Sequence, residues 1–348
     1  MVRKRAKIAD IAAEAGVSVA TVSKVLNGRT DVSDGTRARV EAALLSNRYE
    51  RRRSHRHGGV GLIGLVVDEL DSSWSIEIIR GVEEVCYEAG LGMALSAVHG
   101  RSPAARDWLE NLAARRSDGV VLVVTGLTAS DRARLDALGL RFVVVDPVGE
   151  ADSEVPAVGA TNWAGGISAT EHLISLGHTR VAHIGGPPGL LSSRARADGF
   201  RAAMERARVP VRDGYVRHAE LTDRGGYAEA AALLDLPEPP TAVFAAGDQQ
   251  ALGVYEAMRE RSLRVPHDVS VVGFDDVPIA KWVNPALTTV RQPIAGMAAT
   301  ATRVLLRLIA GEPVDAPRVE LATRLVVRDS TAKVSRDIDG ERAAAGAR

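Results

Sequence analysis

The stretch Ile8-Ala-Asp-Ile-Ala-Ala-Glu-Ala-Gly-Val-Ser-Val-Ala-Thr-Val-Ser-Lys-Val-Leu-Asn27 decides how the head of this chain folds. Ile8, Ile11, Ala12 and Ala15 recur at helical spacing and give a first helix its apolar stripe. Gly16 stops that helix, since glycine takes a positive φ at little cost. Ser18 opens a second helix as its side-chain cap, and Val22, Val25 and Leu26 continue the apolar face until Asn27 and Gly28. Ser33 is placed to cap a third helix whose buried face is Val40, Ala43 and Leu44. A helix, a Gly-centred turn and a second helix form the unit that sets a recognition helix into the major groove of DNA. Three short helices also suit a small protein-interaction bundle. Ala12, Ala13 and the turn Ala15–Ser18 favour the DNA reading, because close helix crossing needs small side chains.

Charge supports the same reading. The chain is neutral overall, with 44 basic and 44 acidic side chains among 348 residues. Residues 1–57, however, hold thirteen Lys or Arg against six Asp or Glu, so a basic head is joined to an acidic body. Such asymmetry points to a polyanion partner, although a basic solvated tail has the same composition. A length of this order predicts two or three domains. The single cysteine, Cys86, excludes a disulfide scaffold or a cysteine-rich zinc cluster, and core packing is its expected role. With no signal peptide and no run of eighteen apolar residues, the expected location is cytoplasmic and nucleoid-associated, away from membranes.

From Val60 onward the pattern alternates. Apolar runs of strand length stand at 60–67, 91–97, 119–124, 141–145, 180–184, 241–246 and 269–274. Helical stretches fall between them, among others at 75–89, 162–176, 192–207, 248–261 and 293–310. This alternation predicts parallel sheets flanked by helices. The body is too long for one five-stranded unit, so two α/β lobes are expected, with ligand at the carboxyl ends of the strands.

Together with Val32-Ser33 and Thr36-Arg37, the opening stretch resembles the DNA-binding head of the LacI/GalR family of bacterial transcriptional repressors. In the body, Arg196-Ala-Asp-Gly-Phe200, Pro240-Thr-Ala-Val-Phe-Ala-Ala-Gly-Asp248 and Arg264-Val-Pro-His-Asp-Val-Ser-Val-Val-Gly-Phe-Asp-Asp276 look like blocks of the same family. The resemblance implies an all-α helix-turn-helix head, residues 1–48, a basic hinge at 49–59, and an α/β periplasmic-binding-protein-like body at 60–330. It implies lobe 1 over about 60–160 and 291–320, lobe 2 over about 161–290 and 321–330, and a disordered tail at 331–348.

Position by position, the resemblance puts Val19, Ala20 and Lys24 against base edges. It puts Ser18, Thr21, Ser23, Asn27, Ser33 and Thr36 on phosphates, with Tyr49, Arg51, Arg52 and Arg53 of the hinge also expected at the DNA. The chemistry agrees: Val19 and Ala20 offer apolar contact, Lys24 can donate to guanine, and hydroxyls fix register without reading sequence. The hinge departs from the family, lacking its Pro and its wedging Leu, so kinking by a leucine wedge is not expected, whereas backbone contact is. In the body, Arg196 and Asp275 match the positions that grip the effector, and Trp74 matches an aromatic on the cleft wall. Asp248 either binds the effector or caps the helix it opens, Trp163 faces the cleft or packs within its lobe, and Leu221 stands where relatives often carry an aromatic.

The implied function is a repressor of carbohydrate-utilisation genes, acting as a homodimer on pseudo-palindromic operator DNA and released by a small sugar. A corepressor-dependent regulator answering to a nucleobase or another small metabolite, and a sugar-binding protein without a DNA role, are the alternatives. No enzymatic activity, cofactor or metal is expected. Gly59-Val-Gly-Leu-Ile-Gly64 matches the dinucleotide-binding pattern, but its glycines lead into a strand instead of following one.

Overall fold

A computed structural model describes residues 8–26, 29, 32–47, 59–70, 72–98, 107–123, 127–147, 155–314 and 316–334. The chain divides into two units, Met1–His55 and Arg56–Arg348.

In the first unit, α1 (Ile8–Ala15), α2 (Val19–Leu26) and α3 (Asp34–Ser46) close on Ile11, Val22 and Val40, all fully buried, with Ala12, Ala15 and Ala43 around them. Gly16 has φ +63°, the left-handed turn its sequence position requires. The Ser18 hydroxyl accepts from the Thr21 backbone N–H at 3.1 Å, so α2 is capped as expected. Ser33 does precede α3, but its hydroxyl donates to that of Thr36 and accepts no backbone N–H. The end of α3 is instead tied to α1, since Ser46 Oγ (2.7 Å) and Asn47 Nδ2 (2.5 Å) both donate to the Glu14 carboxylate.

The second unit holds two six-stranded sheets. Sheet 1 is ordered β2 (Gly92–Ala97), β1 (Leu62–Val67), β3 (Gly119–Val123), β4 (Arg141–Val145), β5 (Ala157–Ala160) and β11 (Arg318–Leu321). Sheet 2 is ordered β7 (Val216–His218), β6 (Val181–Gly185), β8 (Ala242–Ala245), β9 (Ser270–Asp275), β10 (Thr288–Arg291) and β12 (Arg324–Val326). All neighbours run parallel except β10 and β12. Side chains of β1 alternate between faces. Ile63, Leu65 and Val67 meet the core under α4 (Ser73–Ala89) and α12 (Ile294–Ile309), whereas Val66 joins Leu109 and Leu112 of α5 (Asp107–Arg115). Sheet 2 is covered likewise, by α7 (Asn162–Ser175) and α8 (Leu191–Arg206) on one face, and by α9 (Asp223–Leu234) and α10 (Asp248–Glu260) on the other. Both sheets are therefore doubly wound, with a ligand-binding edge at the carboxyl ends of the strands.

Three chain crossings join the lobes, after β5, after β10 and between β11 and β12. Thr161 and Thr323 bind two of them together: Thr323 N donates to Thr161 Oγ1 at 2.9 Å and Thr323 Oγ1 to Thr161 O at 3.1 Å. The loop after β9 crosses as well, because Val277 is buried within the lobe 1 core and Ile279 packs against it.

Four residues of the tail expected from 331 are held in lobe 2. Ala332 N donates to Ser270 Oγ at 3.1 Å and Val334 N to Leu176 O at 3.0 Å, so Thr331–Val334 belong to lobe 2. Residues 335–348 lie outside the described residues. Gly59 and Gly61 precede β1 and Gly64 lies within it, so no helix N-terminus follows that glycine pattern. Among the described residues, no helix is long and apolar enough to cross a membrane.

Candidate DNA-reading head and effector cleft

The head presents the first turn of α2. Ser18, Val19 and Ala20 are exposed at its start and Lys24 in its last turn, while Val22 and Val25 of the same helix are buried. Burial of the alternate face fixes which side chains face outward, and an exposed valine beside an alanine leaves an apolar step able to meet a thymine methyl. Thr21, Ser23 and Thr36 are half-buried and Ser33 is exposed. The hydroxyls pair locally, Ser18 with Thr21 and Ser33 with Thr36, each at 2.9 Å. Arg37 donates to the backbone carbonyl of Arg29 at 2.6 Å and so ties the loop before α3 to that helix, a role the sequence reading missed. Asn27, Tyr49, Arg51, Arg52 and Arg53 lie outside the described residues.

In the body, α7 and α8 cross unusually closely. A Cβ on Gly199 would lie 2.2 Å from the Trp163 carbonyl oxygen, and one on Gly166 would lie 2.4 Å from that of Arg196. Only glycine permits this approach, which sets Asn162, Trp163, Ser192 and Arg196 side by side. Arg196 is buried and held from several directions. Its Nε donates to Asn162 Oδ1 at 2.8 Å, an η nitrogen donates to Ala246 O at 2.5 Å, and the guanidinium lies 3.7 Å over the Phe274 ring. The same η nitrogen stands 3.8 Å from Asp275 Oδ1. Arg196 and Asp275, far apart in sequence, are thus brought together at the edge of sheet 2.

Asp275 has φ +113° and Asp276 φ +58°, conformations uncommon for residues with a Cβ and typical of binding sites. The strained turn is anchored on both sides. Gln292 Nε2 donates to Asp275 Oδ1 at 2.9 Å, and Arg291 Nε and an Arg328 η nitrogen each reach Asp276 at 2.5 Å. Burial pushes the Asp275 carboxyl up to about 7, with Asp146 adding to the rise and Arg196, Gln292 and the Asp248 backbone N–H opposing it. Asp146, just past β4 and with φ +52°, brings a carboxylate from lobe 1. Burial raises its pKa too, while Arg196 and the Ser192 hydroxyl hold it down. The sequence reading missed Asp146; its place directly after a predicted strand was the available signal.

Asp248 corrects an expectation. It is fully buried, and its two carboxylate oxygens accept from Val277 N (2.9 Å) and Thr289 Oγ1 (2.6 Å). It does not cap its helix, whose N-cap is Gly247. With both oxygens engaged inside lobe 2, it holds the 275–277 loop and has no surface to offer an effector. Desolvation and the neighbouring Asp275 raise its pKa well above the usual range. Trp74 is half-buried and packs against the lobe 1 core. Trp163 is half-exposed and lines a cavity of about 240 Å³ that Asp146, Asn162, Ser192, Arg318 and Glu320 also wall. Leu221 lies beside Gly186 and Gly247, where a Cβ on Gly247 would also meet Asp275.

Two segments match known families: residues 7–51 match "Bacterial regulatory proteins, lacI family" and residues 170–331 match "Periplasmic binding protein-like domain". The ribose operon repressor of Escherichia coli K12 is 34 % identical over 328 residues, covering 93 % of this chain and 99 % of that protein. A solved complex described as transcriptional regulator CelR with cellobiose shares 33 % identity at a TM-score of 0.73, over 94 % of this chain and 100 % of that one. The lac repressor dimer, solved with operator and the anti-inducer ONPF, shares 28 % identity at a TM-score of 0.72 over the same proportions. With a head, two lobes and near-complete alignment to such relatives in common, the chain belongs to the lacI family of bacterial regulatory proteins.

Proposed function

We propose that this regulator represses carbohydrate-utilisation genes as a homodimer on pseudo-palindromic operator DNA, and releases that DNA when a small sugar enters the cleft. The observation that carries the sugar reading is the seam itself. Arg196 and Asp275 of lobe 2 and Asp146 of lobe 1 converge there, with Asn162, Ser192 and Gln292 holding them in place. Carboxyl groups beside an arginine fork supply acceptors and donors within one ligand's reach, which suits vicinal hydroxyls. Relatives with sugar names or a bound sugar, the ribose operon repressor and the cellobiose complex, support the same reading.

In the head, Val19, Ala20 and Lys24 read base edges, and Ser18, Thr21, Ser23, Asn27, Ser33 and Thr36 take phosphates together with Tyr49 and Arg51–Arg53. An effector spanning the seam binds one lobe arrangement better than another, and this differential affinity, typically ~1–3 kcal/mol, is what reaches the DNA. The test uses the full-length protein on DNA selected from a random pool. Sugar should weaken binding to wild type and leave Asp275→Ala bound and unresponsive. A sugar response that survives both Asp275→Ala and Arg196→Ala would overturn the assignment.

A further inference from the structure

The cavity lined by Trp163 lies beside the Arg196–Asp275 centre, and neither of those residues walls it. Three of its walls are nevertheless direct partners of that centre. Asn162 accepts from Arg196, Asp146 is electrostatically coupled to Arg196 and Asp275, and Ser192 bonds Asp146. A ligand seated on Arg196 and Asp275 and continuing past Asp146 therefore enters this space.

Size and chemistry narrow the occupant. About 240 Å³ falls below the ~300–1,000 Å³ of pockets that enclose a whole drug-sized ligand, so the space is sized for a single ring. Trp163 contributes a half-exposed indole to the lining. Arg318 and Glu320, paired at 3.2 Å on β11, place a donor and an acceptor side by side, and Asp146 and Ser192 add further polar groups. An apolar face ringed by both donors and acceptors matches a pyranose. A phosphate or carboxylate would meet two carboxyl groups against one guanidinium.

We propose that this cavity is the subsite for a second glycosyl unit, so that the effector is a disaccharide or longer oligosaccharide whose first unit rests on Arg196 and Asp275. The proposal builds on the effector reading above. Asp146, Arg318 and Glu320 belong to lobe 1, whereas Asn162, Trp163 and Ser192 belong to lobe 2, so the second unit bridges the lobes and contributes to setting their arrangement.

Calorimetric titration of the full-length protein with glucose, galactose, xylose, mannose and ribose, and with cellobiose, maltose, lactose, xylobiose and mannobiose, tests it. One disaccharide should bind about tenfold or more tighter than its component monosaccharide. Trp163→Ala and Arg318→Ala should each remove that advantage while leaving the monosaccharide within about twofold of wild type, and Trp163→Phe should restore most of it. Equal binding of both classes, or a disaccharide preference that survives both alanine variants, overturns the subsite and leaves the sugar reading intact. Binding by none of these sugars overturns both.

Discussion

Asp276→Ala should destabilise the protein through the loss of one buried counter-charge. The carboxylate is 1 % exposed and bonded at 2.5 Å to both Arg291 and Arg328, which are 36 % and 13 % exposed. A charge-assisted hydrogen bond contributes about 1.5–3 kcal/mol, and two of them set an upper bound near 6 kcal/mol. Arg291 is more than a third exposed and recovers solvation when its partner goes, so most of its share is discounted. Arg328 is far less able to do so. The net cost is about 3–4 kcal/mol, in line with breaking a buried ion pair. For the body Arg56–Arg348 that corresponds to a melting temperature lower by about 5–7 °C. The assay is urea unfolding followed by tryptophan fluorescence, since Trp74 and Trp108 report on lobe 1 and Trp163 and Trp282 on lobe 2. Asp198→Ala, which removes an exposed ion pair with Arg201, serves as the control and should cost under about 1 kcal/mol. If Asp276→Ala cost no more than that control, Asp276 would not be the counter-charge that holds the ends of β10 and β12.

Four further outcomes are expected. Native Asp275 binds its proton more tightly than the unfolded chain does, so its contribution to stability should fall as pH rises from about 4 to about 7, and Asp275→Asn should flatten that slope in pH-resolved unfolding. If sugar hydroxyls donate to the ionised form, effector affinity should also rise from about pH 6 to about pH 8, and a flat profile in wild type would refute that contact. Gly199→Ala drives a methyl toward the Trp163 carbonyl and should cost about 1–3 kcal/mol while weakening effector binding by displacing Arg196; unchanged affinity and stability would show that α7 and α8 can part freely. Lys24→Ala should relax operator preference and reduce the salt dependence of binding, measured by anisotropy across salt concentrations, and retention of both would remove Lys24 from the reading face.

The head was legible because its signals are local. Gly16 at a turn, Ser18 at a cap and the spacing of Ile11, Val22 and Val40 each specify geometry within a few residues. The long strands and helices of the body read equally well from their apolar runs. Strands of three or four residues, such as β7, β11 and β12, carry too few side chains for a period to emerge. At the cleft, the proximity of Arg196 and Asp275 was expected only from the resemblance, since nothing in 78 intervening residues encodes it locally. Asp248 and Asp146 show the limit most clearly. Both follow strands, yet Thr289 and the Val277 N–H draw the first inward, whereas a positive φ helps to set the second at the seam. Those partners come from other elements, and a linear pattern does not contain them. Thr331–Val334 escaped notice for a related reason: backbone groups and small hydroxyls hold them, with no apolar stripe.

Val277 belongs to two bodies at once. Its backbone N–H is fixed to Asp248 in lobe 2, while its side chain is buried in the core of lobe 1. A point fastened to both parts is one about which they can turn but not slide. The turn Asp275–Asp276 directly precedes that point in the chain. Were the lobes to rotate about it, the strands farthest away would move most, and a ligand at the turn would act on the short arm.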